Sequence, residues 1–333
     1  MTREELCQSF LDKNGWGMAN RTVLAGDASF RTYERLIQNG KTTVLMNSPL
    51  SENPDKFVFI THLLEETGLH PPCILAQDLE NGFLLLEDFG DNTFSKLLKD
   101  GFNEFELYKK GVDTLITLHK NIKLPKTGII EHNFDRMMFE VSLLINWFGK
   151  YMVKGGLSDQ ACTEFKKIWT PLLNQLEKLP KTLTLLDYHA DNLMITPSGD
   201  CGVLDYQDAR LCSAVYDLMS LLEDERRIVS PTVRQDLINY YFQARPDIDT
   251  PFVRSSLPVV AMQRHTKVIG IFTRLCLRDN KKKYLDMIPL VWKLTETHLD
   301  NPIFTDYKRW LDKYIPSHYR QSTIIQREFC HET

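Results

Sequence analysis

The sequence predicts an α+β chain, a small strand-rich part followed by a larger helical one, on three observations. The first ~86 of its 333 residues alternate short β-prone runs with turn signals and hold a helical stretch. Beyond them, apolar residues recur mostly at helical spacing. Two acidic segments interrupt the helices with a short hairpin: L-L-D-Y-H-A-D-N-L (Leu185 to Leu193) and G-V-L-D-Y-Q-D-A (Gly202 to Ala209).

The elements follow in order. Thr22-Val23-Leu24 leads into a turn, Ala25 to Ser29. Phe30 to Ile37 and Thr42 to Met46 are strand-like and are joined by Asn39-Gly40, a strong two-residue hairpin signal. Asp55 to Glu66 reads as a helix, with Phe57, Ile60, Leu63 and Leu64 on one face. Gly68 closes it and Pro71-Pro72 blocks its continuation. Ile74 to Gln77 and Phe83 to Glu87 are two further strands. Strand, strand, strand, helix, strand, strand is the order of a kinase small lobe. The polar break Glu87-Asp88-Phe89-Gly90-Asp91 then divides residues 1–88, the small lobe, from 89–333, the helical lobe.

In the second part, Phe105, Tyr108, Val112 and Leu115 mark one amphipathic helix. Met138, Val141, Leu144, Ile145 and Phe148 mark another, and Pro180 ends a third. Val215, Leu218, Met219 and Leu222 fall at i, i+3, i+4 and i+7, a buried stripe. Further helices run from about Val259 to Arg278 and from Tyr284 to His298.

Composition narrows the function classes. Net charge is −4 and the pI about 6.2, so the basic excess of a general nucleic-acid surface is missing. Lys281-Lys282-Lys283 reads as a solvated loop or helix start. Seven cysteines lie scattered without a C-x-x-C pair, so neither a zinc knuckle nor a dithiol redox motif is indicated, and scattered thiols suit a reducing cytoplasm. The start, M-T-R-E-E-L, lacks the apolar core of a signal peptide, and no run approaches the ~18 apolar residues of a membrane span.

The chemistry concentrates in the two acidic segments. Asp187 stands five residues before Asn192, and Asp205 follows after one short hairpin. That is the layout of a kinase-type phosphoryl-transfer site: a base, a metal-binding amide and a metal-binding carboxylate. A carboxylate at Asp187 can orient an acceptor hydroxyl and take its proton. Asn192 and Asp205 offer the oxygen ligands that Mg2+ favours. Asp187, His189 and Asp191 also form a possible transition-metal set, but no H-x-x-x-H pair supports it, and His189 and Asp191 suit a loop-buttressing role better. Asp217, at a helix start, is placed to anchor the catalytic loop through backbone amides.

These residues and L-A-G-D-A-S-F-R-T-Y (Leu24 to Tyr33), V-L-M-N-S-P (Val44 to Pro49), G-F-L-L-L-E-D-F-G-D (Gly82 to Asp91), Y-D-L-M-S-L-L-E-D-E-R-R (Tyr216 to Arg227) and I-G-I-F-T-R-L (Ile269 to Leu275) run through almost the whole chain. In them the sequence resembles the aminoglycoside phosphotransferase and choline kinase-like superfamily. The G-D-A-S-F loop and the I-G-I-F-T-R-L helix resemble its branch of bacterial anomeric kinases acting on N-acetylmuramate and N-acetylglucosamine. The resemblance implies a bilobed protein-kinase-like α+β fold. It implies ATP and Mg2+ as cofactors and an amino-sugar acceptor, the product feeding cell-wall recycling. It implies neither a nucleic-acid nor a membrane partner.

Further site residues follow from that layout. Gly26, Asp27 and Ser29 form the candidate phosphate-covering turn, where glycine lets backbone amides approach phosphate oxygens. Glu87 and Phe89 lie in the hinge that holds adenine. Asp208, Gln263, Arg264 and Arg274 are the candidate acceptor contacts, between the catalytic loop and the C-terminal helices. Arginine suits a bidentate grip on a lactyl carboxylate such as that of muramate. Two positions depart from the superfamily. Met46 stands where a third-strand lysine commonly holds phosphates, so another cation, Arg31 or Arg35, or the metal alone must balance them. Leu185-Leu186 replaces the usual His-Gly before the catalytic aspartate. The rival readings are a kinase of aminoglycosides or choline-like alcohols, whose cationic acceptors call for acidic or aromatic pockets, and a silent nucleotide-binding regulator. A protein kinase fits less well, since no D-F-G or A-P-E activation segment follows Asp205.

Overall fold

The computed structural model of the chain describes residues 1–24, 30–125 and 127–321. The chain divides into two compact units, residues 1–123 with 187–209, and residues 124–186 with 210–333. The break expected at residue 88 falls inside the first unit.

The first unit is built on a five-stranded antiparallel sheet, order β1-β2-β3-β5-β4, from β1 (Asn20–Val23), β2 (Thr32–Gln38), β3 (Lys41–Asn47), β4 (Ile74–Asp78) and β5 (Phe83–Leu86). Asn39 and Gly40 both adopt positive φ, 53° and 73°, as a hairpin turn matched to strand twist requires. Helix α2 (Pro54–Glu66) starts under an Asn53 side-chain cap with proline in its first turn. It stops before Gly68, whose φ of 84° would strain any other residue.

One element escaped the sequence reading, which expected a single helix here. Helix α1 (Arg3–Lys13) covers the sheet, and Cys7, Phe10 and Leu11 join Leu36, Leu45, Phe83 and Leu85 in one buried cluster. Its signal was present: Thr2 and Glu5 form a reciprocal capping box. The same unit holds α3 (Phe94–Lys99), α4 (Glu104–Asn121) and the hairpin of β7 (Leu193–Ile195) with β8 (Cys201–Val203).

The second unit is mostly helical: α5 (Phe134–Leu143), α6 (Lys150–Met152), α7 (Asp159–Glu177), α8 (Tyr216–Leu222), α9 (Pro231–Ala244), α10 (Pro251–Leu277), α11 (Ile288–His298), α12 (Thr305–Tyr314) and α13 (Ser317–Arg320). Strand β6 (Lys181–Thr184) pairs antiparallel with β9 (Arg210–Ser213). Helix α10 begins eight residues before the expected start at Val259 and runs through Pro258. Proline interrupts helices by removing a donor, and the true start lies at the Thr250 cap with Pro251 in the first turn. The apolar stripe ending at Phe148 is not one α-helix: after Leu143 it widens into a π-helical stretch, Leu144–Gly149. The stretch from Tyr284 likewise opens with a 3-10 turn, Lys282–Met287, which takes in most of the lysine run. Gly270 lies against the backbone of Leu143, where a Cβ would overlap the Leu143 carbonyl.

Candidate active site

The β7–β8 hairpin explains how residues 13 apart in sequence come to the same end of one element. Asn192 immediately precedes β7 and Asp205 follows β8 by two residues. Leu193 pairs with Val203, and the Leu204 amide donates to the Asn192 carbonyl at 2.9 Å. The antiparallel ladder thus returns Asp205 to the end of the hairpin from which Asn192 starts. Asp205 has a φ of 55°, a left-handed conformation that turns the chain out of the ladder.

The loop from Asp187 to Asn192 is closed by its own bonds. Asn192 donates its side-chain amide to the Asp187 carbonyl at 2.9 Å and lies 3.2 Å from His189 Nε2, while its backbone amide donates to the His189 carbonyl at 2.9 Å. The amide nitrogen is therefore occupied and the amide oxygen is the ligand that remains. His189 is buried and buttresses this loop, as expected. Among the described residues, Asp187, His189 and Asp191 do not converge as a ligand set.

Asp187 is exposed and Asp205 half-buried. Burial pushes the Asp205 carboxyl up to about 6, and the charge of Asp187 adds to the rise. Gln207, donating at 2.7 Å, and the Arg31 charge pull the other way. Burial and the Asp187 charge both penalise the ionised Asp205 carboxylate, and with the Asn192 amide oxygen at the same end of the hairpin this suits a hard divalent cation.

Leu186, with φ 72°, precedes Asp187 in the chain. The buried carboxylate of Asp217 accepts from the Leu185 and Leu186 amides at 2.6 and 3.0 Å, the anchoring role expected of it. Arg264 donates to the Leu186 carbonyl at 3.2 Å and makes a two-pronged pair with the buried Glu225 at 3.1 and 3.2 Å. Gln263 is fully buried and donates to Glu140 at 3.0 Å. Arg274 is half-buried and makes no hydrogen bond or ion pair among the described residues; burial and the neighbouring Arg278 charge lower its pKa. Asp208 is exposed, with Lys56 at 3.6 Å.

Directly after β5, the Glu87 carboxylate holds His70 Nε2 at 3.1 Å and the Cys73 amide at 3.3 Å. Phe89 is buried, edge-on to His70, and packs on Gly202 of β8, where a Cβ would overlap its ring. Gly26, Asp27 and Ser29 lie outside the described residues. Sequence reasoning could not choose between Arg31 and Arg35. Arg35 is engaged by Asp88 at 2.8 Å, Asp91 at 2.8 Å and the Gly90 carbonyl at 2.8 Å. Arg31 is buried, bonds Glu52 at 3.2 Å, and is the arginine whose charge reaches Asp205. Met46 is fully buried opposite Tyr33 in the β2–β3 ladder.

Comparison with known proteins places this geometry in a family. The phosphotransferase enzyme family (APH) matches residues 20–252. A protein of Pseudomonas aeruginosa named N-acetylmuramate/N-acetylglucosamine kinase is 34% identical over 85% of this chain and 86% of its own. The protein of that name from Caulobacter vibrioides is 29% identical over 96% and 98%. Among solved structures, a choline/ethanolamine kinase family protein from Mesorhizobium loti superposes with a TM-score of 0.65 at 11% identity, covering 94% of this chain and all of that one. ADP-bound aminoglycoside phosphotransferase APH(2'')-Ib gives 0.61 at 16%, covering 88% and 97%. These structures fix the α+β kinase-like fold, and with the match over residues 20–252 the chain belongs to the phosphotransferase enzyme family.

Proposed function

We propose that this protein transfers the γ-phosphoryl group of ATP to the anomeric hydroxyl of an N-acetylated amino sugar, N-acetylmuramate or N-acetylglucosamine, in cell-wall sugar recycling. The observation that carries the chemistry is the hairpin that brings Asn192 and Asp205 to one end, with the Asp187 charge acting on Asp205. The acceptor class is supported by the names of four relatives, 29–35% identical over 80–96% of the chain.

In this reading the Asp187 carboxylate orients the acceptor hydroxyl and receives its proton as the acceptor oxygen bonds to phosphorus and ADP leaves. Asn192 Oδ1 and the Asp205 carboxylate would hold Mg2+, which when bound would neutralise phosphate charge. Arg31 takes the phosphate-side role vacated at Met46, since it is buried and coupled to Asp205 while Arg35 is tied to the hinge acids. Glu87 and Phe89, with Gly26, Asp27 and Ser29, contact the nucleotide. Asp208, Gln263, Arg264 and Arg274 remain acceptor-side proposals. Of these Arg274 suits a lactyl carboxylate best, because its guanidinium has no partner among the described residues. Among the described residues no helix is long and apolar enough to cross a membrane. The described cysteines are all free thiols, and a reducing cytoplasm is the compartment we propose.

The test incubates purified protein with ATP, Mg2+ and an amino-sugar library and reads the phosphorylated position by phosphorus NMR. A sugar 1-phosphate is expected. Asp187→Ala should keep the far-ultraviolet spectrum and lose turnover by about 100- to 10,000-fold. Near-normal turnover in that variant removes Asp187 from the mechanism, and transfer only to choline or an aminoglycoside removes the sugar assignment.

A further inference from the structure

Away from the phosphoryl-transfer residues, three side chains in the second unit converge on one point. Glu223 caps the C-terminal end of α8, His265 lies in the middle of α10, and His298 is the last residue of α11. Their ligand atoms all lie within 4.8 Å of one another. Glu223 Oε2 is 3.5 Å from His265 Nε2 and 2.6 Å from His298 Nε2. We propose that Glu223, His265 and His298 bind one divalent transition-metal ion, Zn2+ fitting best, as a brace tying α8, α10 and α11.

Four observations carry this. The donor set is two imidazoles and a carboxylate, a recurrent zinc set that leaves a fourth tetrahedral position for water. Ligand bonds of about 2.0–2.1 Å put tetrahedral donors roughly 3.3 Å apart. The His265–Glu223 spacing of 3.5 Å already matches, and the His298 ring needs to draw back by under about 1 Å. The ring of His265 is fully buried, yet neither of its nitrogens has a hydrogen-bond partner. Buried polar atoms without partners are rare and call for a cause; an ion bound at Nε2 supplies one for that nitrogen. Finally, the second oxygen of Glu223 accepts from Arg234 at 3.0 Å, an outer contact of the kind that fixes a ligating carboxylate.

Access comes from one side. The side chain of Glu223 is 3% exposed and that of His265 0%, whereas His298 is 13% exposed and borders solvent. Imidazole ligands select zinc, nickel or copper over magnesium, so this site and the oxygen donors of Asn192 and Asp205 sort different ions. His70, Cys73 and Glu87 also bring three donors together, but there Cys73 is exposed and His70 and Glu87 are only half-buried. That cluster is the internal control.

The test uses the full chain stripped with chelator, loaded separately with Zn2+ and Co2+, desalted, and measured for metal by elemental analysis. One ion per chain is expected, with the intense visible absorption of four-coordinate Co2+. Zn2+ should raise the melting midpoint, as any ligand of the folded state does. Cys73→Ser should keep ion and spectrum. His298→Ala, at the solvent side, should lose both while retaining a cooperative melt, and Glu223→Gln and His265→Gln should behave alike where they fold. No metal retained by the unaltered chain overturns the proposal. So does retention unchanged in His298→Ala, or loss in Cys73→Ser instead.

Discussion

Replacing Asp217 by asparagine tests whether the loop that leads into Asp187, the proposed base, is held from behind. The buried carboxylate accepts two backbone N–H groups, Leu185 at 2.6 Å and Leu186 at 3.0 Å. An asparagine is isosteric but carries one oxygen, so one amide keeps an acceptor and the other faces an NH2 group. A hydrogen bond to a charged group contributes about 1.5–3 kcal/mol, and a buried orphaned donor costs about 1–3 kcal/mol. The net loss is therefore about 3 kcal/mol, which lowers the melting midpoint of a unit this size by about 6–12 °C. The second consequence is kinetic. Leu186 sits at a left-handed φ of 72° directly before Asp187, a conformation that survives only while its surroundings enforce it. Once the loop relaxes, displacement of Asp187 by about 1 Å costs about 100-fold in turnover. Thermal melts followed by ADP release with saturating acceptor read both effects on one preparation. An Asp217→Asn protein with unchanged midpoint and turnover would mean that the two amide bonds do not position the loop.

Arg31→Gln should weaken nucleotide use by about 1.5–3 kcal/mol, roughly 10- to 150-fold in kcat/KM for ATP, while Arg35→Gln, which disturbs Asp88 and Asp91, changes it far less; equal losses in both would refute the choice. Gly270→Ala should destabilise by about 1–3 kcal/mol, because the added Cβ meets the Leu143 carbonyl and backbone yields poorly; a neutral effect in a urea titration counts against that close approach. Glu140 gives a pH dependence. Burial alone would raise its carboxyl, but Lys267, His132 and Arg136 outweigh burial and hold it below the ordinary carboxylate range. A carboxyl depressed on folding contributes stability above its unfolded value near 4.3 and loses it as pH falls further. Midpoints measured from pH 6 to 3 should drop steeply for the unaltered chain and less steeply for Glu140→Gln, which starts about 3–5 kcal/mol lower because the cations facing it lose their charge partner; identical slopes would refute the assignment.

Local rules made much of this protein readable. The Asn39-Gly40 hairpin, the stop of α2 before Gly68 and the anchoring by Asp217 were expected from residue type and position, because each depends on a few neighbouring residues. The capping box at Thr2 and Glu5 was equally local and was passed over among charged residues. Periodicity misplaced what depends on neighbours in space. Pro258 concealed the first two turns of α10, since a proline breaks a helix in isolation but is tolerated in one held by packing. The β6–β9 pair lies across 25 intervening residues, and neither four-residue strand stands out alone.

The sequence by itself determined the order and spacing of Asp187, Asn192 and Asp205, from which the base, amide and carboxylate roles are proposed, and the hairpin that folds them back, since spacing and turn chemistry act along the chain. Which arginine faces the carboxylates, which is held by Glu225, and which stands open were decided only in three dimensions. A charge pairs with whatever packing brings within a few ångströms, and the sequence separation of the partners carries no trace of it. The meeting of Glu223, His265 and His298, 75 residues apart at its extremes, is the same rule at work.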